Sequence, residues 1–213
     1  MEIVFCTDEN YALPTRAAVR SAIANAAGDA PLTVHVVCDE SVSADSERRF
    51  AALGTERAAV RIARVQNQYK RSLHRCSHIS HAAYLRYDLP YLFPDLSRIL
   101  YLDCDLVVLG DLRELYALDL TDCYAAAVEM PLTVSGRYVR EELRHDGPYL
   151  CSGVLVLNLE KLRRDDMPRQ LAEFTRYRPW LRCLDQDAMN ALFEQQIRWA
   201  GQEYNVMLNH DLN

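Results

Sequence analysis

Few glycines and prolines punctuate this sequence: 7 and 8 in 213 residues. That excludes a collagen-like or linker-dominated chain. Lysine is nearly missing, since only Lys70 and Lys161 stand beside 22 arginines. Acidic residues outnumber basic ones, 30 to 24, for a net charge of −6. Nucleic-acid binders carry a basic excess or stripe, so no nucleic-acid partner is expected. Nowhere do 18 apolar residues run together, which excludes a transmembrane helix. The start, Met1-Glu2-Ile3-Val4-Phe5-Cys6-Thr7-Asp8, has neither the basic region nor the long apolar stretch of a signal peptide. Seven cysteines (6, 38, 76, 104, 123, 151, 183) include no pair three apart, and their number is odd. They form neither a disulfide framework nor a zinc-knuckle pattern. Buried free thiols in a reducing compartment fit better. A cytoplasmic location is expected, with contact to the inner membrane only through a segment outside this sequence.

What is present is a globular composition, 50% hydrophobic and 25% charged. A chain of this length supports one large domain, 1–213, with a core that buries roughly 70–75% of the surface exposed when unfolded. Ile3–Cys6 reads as a buried strand ending at polar Thr7-Asp8-Glu9-Asn10. A helix follows, with Pro14 near its first turn and Gly28-Asp29 closing it. Leu32–Cys38 and Val60–Val65 read as strands around a helix over Ser43–Leu53. This alternation predicts an α/β fold with a mostly parallel, Rossmann-like sheet flanked by helices. Residues 66–79 read as a loop. Ser80–Phe93 reads as one helix with Pro90 in its last turn, Arg98–Leu102 as a strand, and Leu112–Tyr116 as a short helix. Tyr124–Val128 and Gly153–Leu157 read as strands, Ser135–Asp146 as polar surface, and Met167–Tyr177 and Asp187–Gln195 as helices.

Asp103-Cys104-Asp105 is the first chemical candidate. A D-x-D pair alone carries little: 17 aspartates give two such pairs here, and chance supplies about one. Its position matters more. The apolar run Ile99–Leu102 delivers it to the C-terminal end of a strand, where ligands of open α/β sheets bind. Two carboxylates on one strand face repel unless a cation neutralises them. Hard ions such as Mg²⁺ or Mn²⁺ use carboxylates this way and bridge to phosphates. The plain alternative is a solvated acid pair. Asp8, Asn10 and Tyr11 lie beyond the first strand and suit a base edge and a stacking ring, although spacing alone favours a polar turn. Arg86 lies one position off the apolar stripe of its helix. It suits a diphosphate or the orientation of the acid pair, while an exposed helix arginine is the commoner case. Asp185 opens the last helix, where a carboxylate is favoured in any event. Of the six histidines, His78 is the best placed.

Together these segments resemble glycosyltransferase family 8, the retaining nucleotide-sugar transferases of GT-A fold, over residues 1 to about 209. Ile3-Val4-Phe5-Cys6-Thr7-Asp8-Glu9-Asn10-Tyr11, His78-Ile79-Ser80 with Tyr84-Leu85-Arg86, and Arg98–Asp105 carry the resemblance. So do Gly110-Asp111-Leu112 with Leu115-Tyr116, Ser152–Leu159, and Asp185–Asn190. Their order and spacing are most similar to bacterial enzymes that add hexoses to lipopolysaccharide or lipooligosaccharide. The resemblance implies a UDP-sugar donor, UDP-glucose or UDP-galactose, and a saccharide or lipopolysaccharide-type acceptor. It implies Asp8, Asn10 and Tyr11 at the uracil, Arg86 near the diphosphate and sugar, and Mn²⁺ (or Mg²⁺) on Asp103 and Asp105. It further implies the Cys104 backbone beside the ribose, Gly153 in the donor site, Asp185 on sugar hydroxyls, Gln186 on the β-face of the anomeric carbon, and His78 near the acceptor. Same-face attack steadied by Gln186 is the preferred route to retention.

Two departures stand out. Cys151 occupies a position where the family usually has asparagine, and a thiol is a poor hydrogen-bonder. The family's later His-x-x-Gly-x-x-Lys-Pro-Trp segment, with a third metal ligand and a lysine for the diphosphate, is not in this sequence; His210 has no surrounding motif. A truncated, non-catalytic UDP-sugar-binding relative is therefore the alternative. A haloacid-dehalogenase-like phosphatase with Asp103 as nucleophile shares the Asp-x-Asp-x-Val pattern. That class needs a later lysine and then an acidic pair at a strand end, and here only Lys70 and Lys161 exist, with Asp165-Asp166 too close behind Lys161.

Overall fold

The computed structural model describes residues 1–28, 30–73, 80–130 and 136–207. His78 and His210, both singled out above, lie outside the described residues. The strands are β1 (Glu2–Thr7), β2 (Leu32–Cys38), β3 (Ala58–Arg64), β4 (Arg98–Leu102), β5 (Ala125–Glu129), β6 (Leu150–Asn158) and β7 (Ile197–Ala200). The helices are α1 (Ala12–Ala24), α2 (Ala44–Ala51), α3 (Leu89–Leu92), α4 (Arg113–Tyr116), α5 (Gly136–Glu141), α6 (Leu159–Arg164), α7 (Met167–Arg176) and α8 (Leu184–Phe193). A 3₁₀ helix, His81–Asp88, runs straight into α3.

The strands form one sheet in the order β3-β2-β1-β4-β6-β5-β7. Parallel pairing joins β3, β2, β1 and β4, and also β5 to β7. The expected mostly parallel sheet is thus present, with β6 as the exception, antiparallel to both neighbours. That reversal matters for the site. It brings the N-terminal end of β6 beside the C-terminal end of β4, on the same sheet edge as the C-terminal end of β1.

Alternation along the strands builds a core on each side of the sheet. Ile3, Phe5, Leu100 and Leu102 pack with Ala18, Val19 and Ala22 of α1 and Phe50 of α2. Val4, Ile99, Tyr101 and Leu155 pack with Tyr84, Leu85 and Tyr87, Leu171 of α7 and Met189 of α8. The cap of α2 is legible in the sequence: the Ser43 hydroxyl accepts from the Ser46 amide, and Asp45 and Glu47 stand in the first turn.

Several expectations are corrected. The single helix over 80–93 is mostly 3₁₀, and Pro90 stands in the first turn of α3 rather than the last turn of a long helix. Proline has no amide to close a bond back to Arg86, so an α-ladder cannot run through. In a 3₁₀ helix residues three apart eclipse, which leaves Arg86 inside the fold at 4% exposure instead of on the surface. The helix α1 ends at Ala24, and Gly28 turns separately with φ +68°. The 135–146 stretch is not all surface, since Tyr138 and Val139 are buried. Helix α8 begins at Leu184, and neither α6 nor β7 was anticipated.

Candidate functional site

β4 alternates Ile99, Tyr101 and Asp103 to one face, so the strand that builds the core also aims the first carboxylate. The Asp103 amide donates to the Gly153 carbonyl at 2.8 Å, which locks the end of β4 to β6. Its Oδ1 accepts from Tyr101 Oη at 2.7 Å and from Arg86 Nη2 at 2.9 Å. Its Oδ2 lies over Gly153, where a Cβ would sit only 3.1 Å away. Asp105 is exposed. Partial desolvation, and then the like charge of Asp103, raise its pKa.

Arg86 ties three elements together. Nε donates to the Ala83 carbonyl at 2.9 Å and Nη1 to the Ser152 carbonyl at 2.9 Å. Nη2 also donates to Tyr101 Oη at 2.7 Å, and the guanidinium lies 4.1 Å from that ring's centre. Nη1 pairs with Asp185 Oδ2 at 3.0 Å, with both side chains buried. Burial works against the charge on Arg86, but Asp185, Tyr101 and Asp103 outweigh it and hold the group cationic. Asp185 is pushed up to about 6 by desolvation, with Arg86 pulling the other way.

The Asp185-Gln186-Asp187 triplet divides between two tasks. Asp185 and Gln186 face the cleft. Gln186 Oε1 accepts from the Ser152 amide at 2.9 Å, and its Nε2 points at Met130 Sδ, 3.5 Å away. Asp187 turns away. It accepts from the Tyr149 hydroxyl, from Tyr138 Oη at 2.7 Å and from the Cys183 amide at 2.8 Å. Asn190, one turn on, pairs with both backbone groups of Leu150: its Oδ1 accepts at 2.7 Å and its Nδ2 donates at 3.1 Å.

The βα turn after β1 is the polar turn that spacing alone favours. Asp8 Oδ1 accepts from the Tyr11 amide at 3.1 Å, and Oδ2 accepts from the Ser80 hydroxyl. Asn10 is exposed. Tyr11 is half-buried at the cleft, and burial, followed by Asp105 and Asp8, raises its phenol pKa. The Cys104 thiol donates to the Cys6 carbonyl at 3.1 Å and is pushed up to about 12 by burial, so it is an inert neutral group.

These pieces enclose a cleft of about 310 Å³, lined by Tyr11, Arg86, Asp103, Asp105, Asp185 and Gln186, with Cys104 and Ser152 among its walls. Seven of the residues singled out in the sequence, Cys104 included, thus converge from four distant segments, as expected for the C-terminal edge of an α/β sheet. Asp8, Asn10 and Gly153 do not line it. Sequence reasoning gave no role to Tyr101, Ser152, Ser80 or Met130. Tyr101 was detectable, because it stands two residues before Asp103 on the same strand face.

Among the described residues, no three of His, Cys, Asp and Glu group as a metal cluster. Asp103 and Asp105 offer two hard carboxylates, and their mutual repulsion is relieved by a cation. That donor set suits a divalent ion completing its shell with water and substrate oxygens, and not a tetrahedral zinc site.

The model of glycosyl transferase family 8 matches residues 2–213. General stress protein A of Bacillus subtilis (strain 168) is 30% identical over 224 residues, spanning 98% of this chain and 76% of that protein. Lipopolysaccharide 1,2-glucosyltransferase of Escherichia coli is 29% identical over 124 residues, 55% of this chain and 36% of that protein. Among solved structures, the galactosyltransferase LgtC in complex with donor and acceptor sugar analogues superposes with a TM-score of 0.85 at 28% identity, covering 95% of this chain and 74% of that one. With a family match along its length and the mixed seven-stranded sheet of the LgtC-like GT-A fold, this chain belongs to glycosyl transferase family 8.

Proposed function

We propose that the protein is a metal-dependent, retaining hexosyltransferase that moves a sugar from a UDP-sugar to a saccharide or glycolipid acceptor. The observation that carries this reading is the convergence of the Asp103/Asp105 pair and the buried Arg86–Asp185 pair in one cleft. The likeness to LgtC and to the lipopolysaccharide glucosyltransferase supports UDP-galactose or UDP-glucose as donor and a lipopolysaccharide-type acceptor.

Tyr11 stacks on the uracil, with Asp8 shaping the turn that holds the ring and Asn10 reaching in from the rim. The Cys104 backbone lies beside the ribose, and Gly153, having no side chain, leaves room for the Asp103 carboxylate. Asp103 and Asp105 hold the cation; Mn²⁺ or Mg²⁺, when bound, supplies Lewis-acid stabilisation of the departing diphosphate. Arg86 fixes Asp103 through Oδ1 and Asp185 through Oδ2. Asp185 faces the positive character that builds on the sugar. The Ser152 amide orients Gln186, whose carbonyl oxygen is a weak nucleophile suited to steadying that cation. The bond from the anomeric carbon to the diphosphate oxygen breaks, its electron pair leaving with UDP. The acceptor hydroxyl bonds to the same face and gives its proton to the leaving oxygen.

Calorimetric titration with UDP tests the reading. Binding should require Mn²⁺ and should fall at least tenfold in Asp103→Asn and in Asp105→Asn, since each change removes a carboxylate charge from the cation. Equal UDP affinity in Mn²⁺ and in EDTA would overturn it.

A further inference from the structure

Asn205 is not among the residues that line the cleft, but its side chain lies beside Gly153. Its backbone is fixed without any ligand: its amide donates to the Gln202 carbonyl at 3.2 Å, and Gln202 Nε2 donates to the Glu129 carbonyl of β5 at 3.0 Å. Its side-chain Nδ2 is buried and meets no acceptor. The nearby Cys151 thiol feels this amide, but sulfur is a weak acceptor and leaves it unsatisfied. A buried amide without a partner is destabilising, and such groups call for an explanation.

Its surroundings supply one. A Cβ built on Gly153 would lie 3.6 Å from Asn205 Nδ2 and 3.1 Å from Asp103 Oδ2. The orphan donor and the free oxygen of a carboxylate therefore flank the same gap, which exists because residue 153 has no side chain. The other oxygen of Asp103 is already held by Arg86 and Tyr101.

On the donor-site reading given above, we propose that Asn205 is a positioning residue for Asp103: in the cation-loaded protein its Nδ2–H donates to Oδ2. Oδ1 is then gripped by Arg86 and Tyr101, and Oδ2 by Asn205. The carboxylate is left with one orientation in which to present the remaining lone pair of Oδ2 to a divalent ion. Outer partners of metal-binding carboxylates act in this way, and their loss typically costs about 10–100-fold in metal affinity.

Mn²⁺ binding followed by the spectroscopic signal of the free ion, alone and with UDP, tests this on the full chain. Asn205→Leu keeps the bulk and removes the donor; Asn205→Ala removes both. Each should weaken Mn²⁺ binding at least tenfold while the melting temperature stays within a few degrees. Variants that bind Mn²⁺ as tightly as the wild type overturn the assignment. A second measurement needs no substitution: on addition of Mg²⁺ and UDP to the wild type, the Asn205 side-chain amide signal should move downfield and exchange more slowly with solvent. An unmoved signal in protein that has bound Mg²⁺–UDP overturns the assignment alone. Wild-type protein that binds neither Mn²⁺ nor Mg²⁺ with UDP overturns the donor-site reading along with it.

Discussion

At the scale of single residues, the site depends on how Arg86 and Asp185 share burial. Asp185 is 3% exposed and Arg86 4%, so neither charge can turn to water. Removing the arginine strands a carboxylate inside the protein, and breaking a buried pair from one side costs about 3–5 kcal/mol. Arg86→Met is expected to lower stability by that amount in urea unfolding, and adding Asp185→Asn should recover part of it. The same pair gives a pH signature. Asp185 titrates at about 6 in the fold against an ordinary 3.8, chiefly through desolvation. Its folded pKa is raised, so the native state holds the proton more tightly than the unfolded chain. Its contribution is present in full below about pH 4 and is lost as the pH rises through about 6. Comparing wild type with Asp185→Asn by chemical unfolding in EDTA from pH 4 to 7, the variant should lack this downward component. Parallel curves would contradict it.

At the scale of elements, α8 does two jobs with adjacent residues. Asp185 and Gln186 face the cleft, while Asp187 and Asn190 fasten the helix to α5 and to the start of β6. Asn190 is fully buried and serves both the N–H and the C=O of Leu150. Each buried backbone group left without a partner costs about 1–3 kcal/mol. Asn190→Ala should therefore destabilise the protein by about 2–4 kcal/mol and speed amide exchange at the N-terminal end of β6. Exchange confined to other strands would show that this strand end is held by something else. The 3₁₀ helix carries a similar double load. Tyr84, Leu85 and Tyr87 fill the core, and Arg86 between them reaches the site.

For the molecule as a whole, the reversal of β6 decides how the cleft is built, because it sets Ser152 and Gly153 against Asp103. Gly153→Ala would place a methyl 3.1 Å from Asp103 Oδ2. The carboxylate must shift by a few tenths of an ångström, so Mn²⁺-dependent UDP binding should weaken about tenfold with little change in melting temperature, measured by calorimetry and thermal unfolding. Unchanged binding would mean that Asp103 does not depend on this close approach. The sequence by itself determined the α/β class, the strands β1, β2 and β4 nearly to the residue, and the delivery of Asp103 and Asp105 to a strand end. These follow from local periodicity and from short apolar runs, which need no knowledge of distant contacts. Tertiary structure alone decided the rest. It buried Arg86, because a 3₁₀ helix turns its residues differently from an α-helix. It tied the Asp8 carboxylate to Ser80, split the Asp185–Asp187 triplet between cleft and core, and brought Asn205 beside Gly153. Each of those outcomes depends on which strand lies next to which and in what direction, and no local pattern in the chain encodes that.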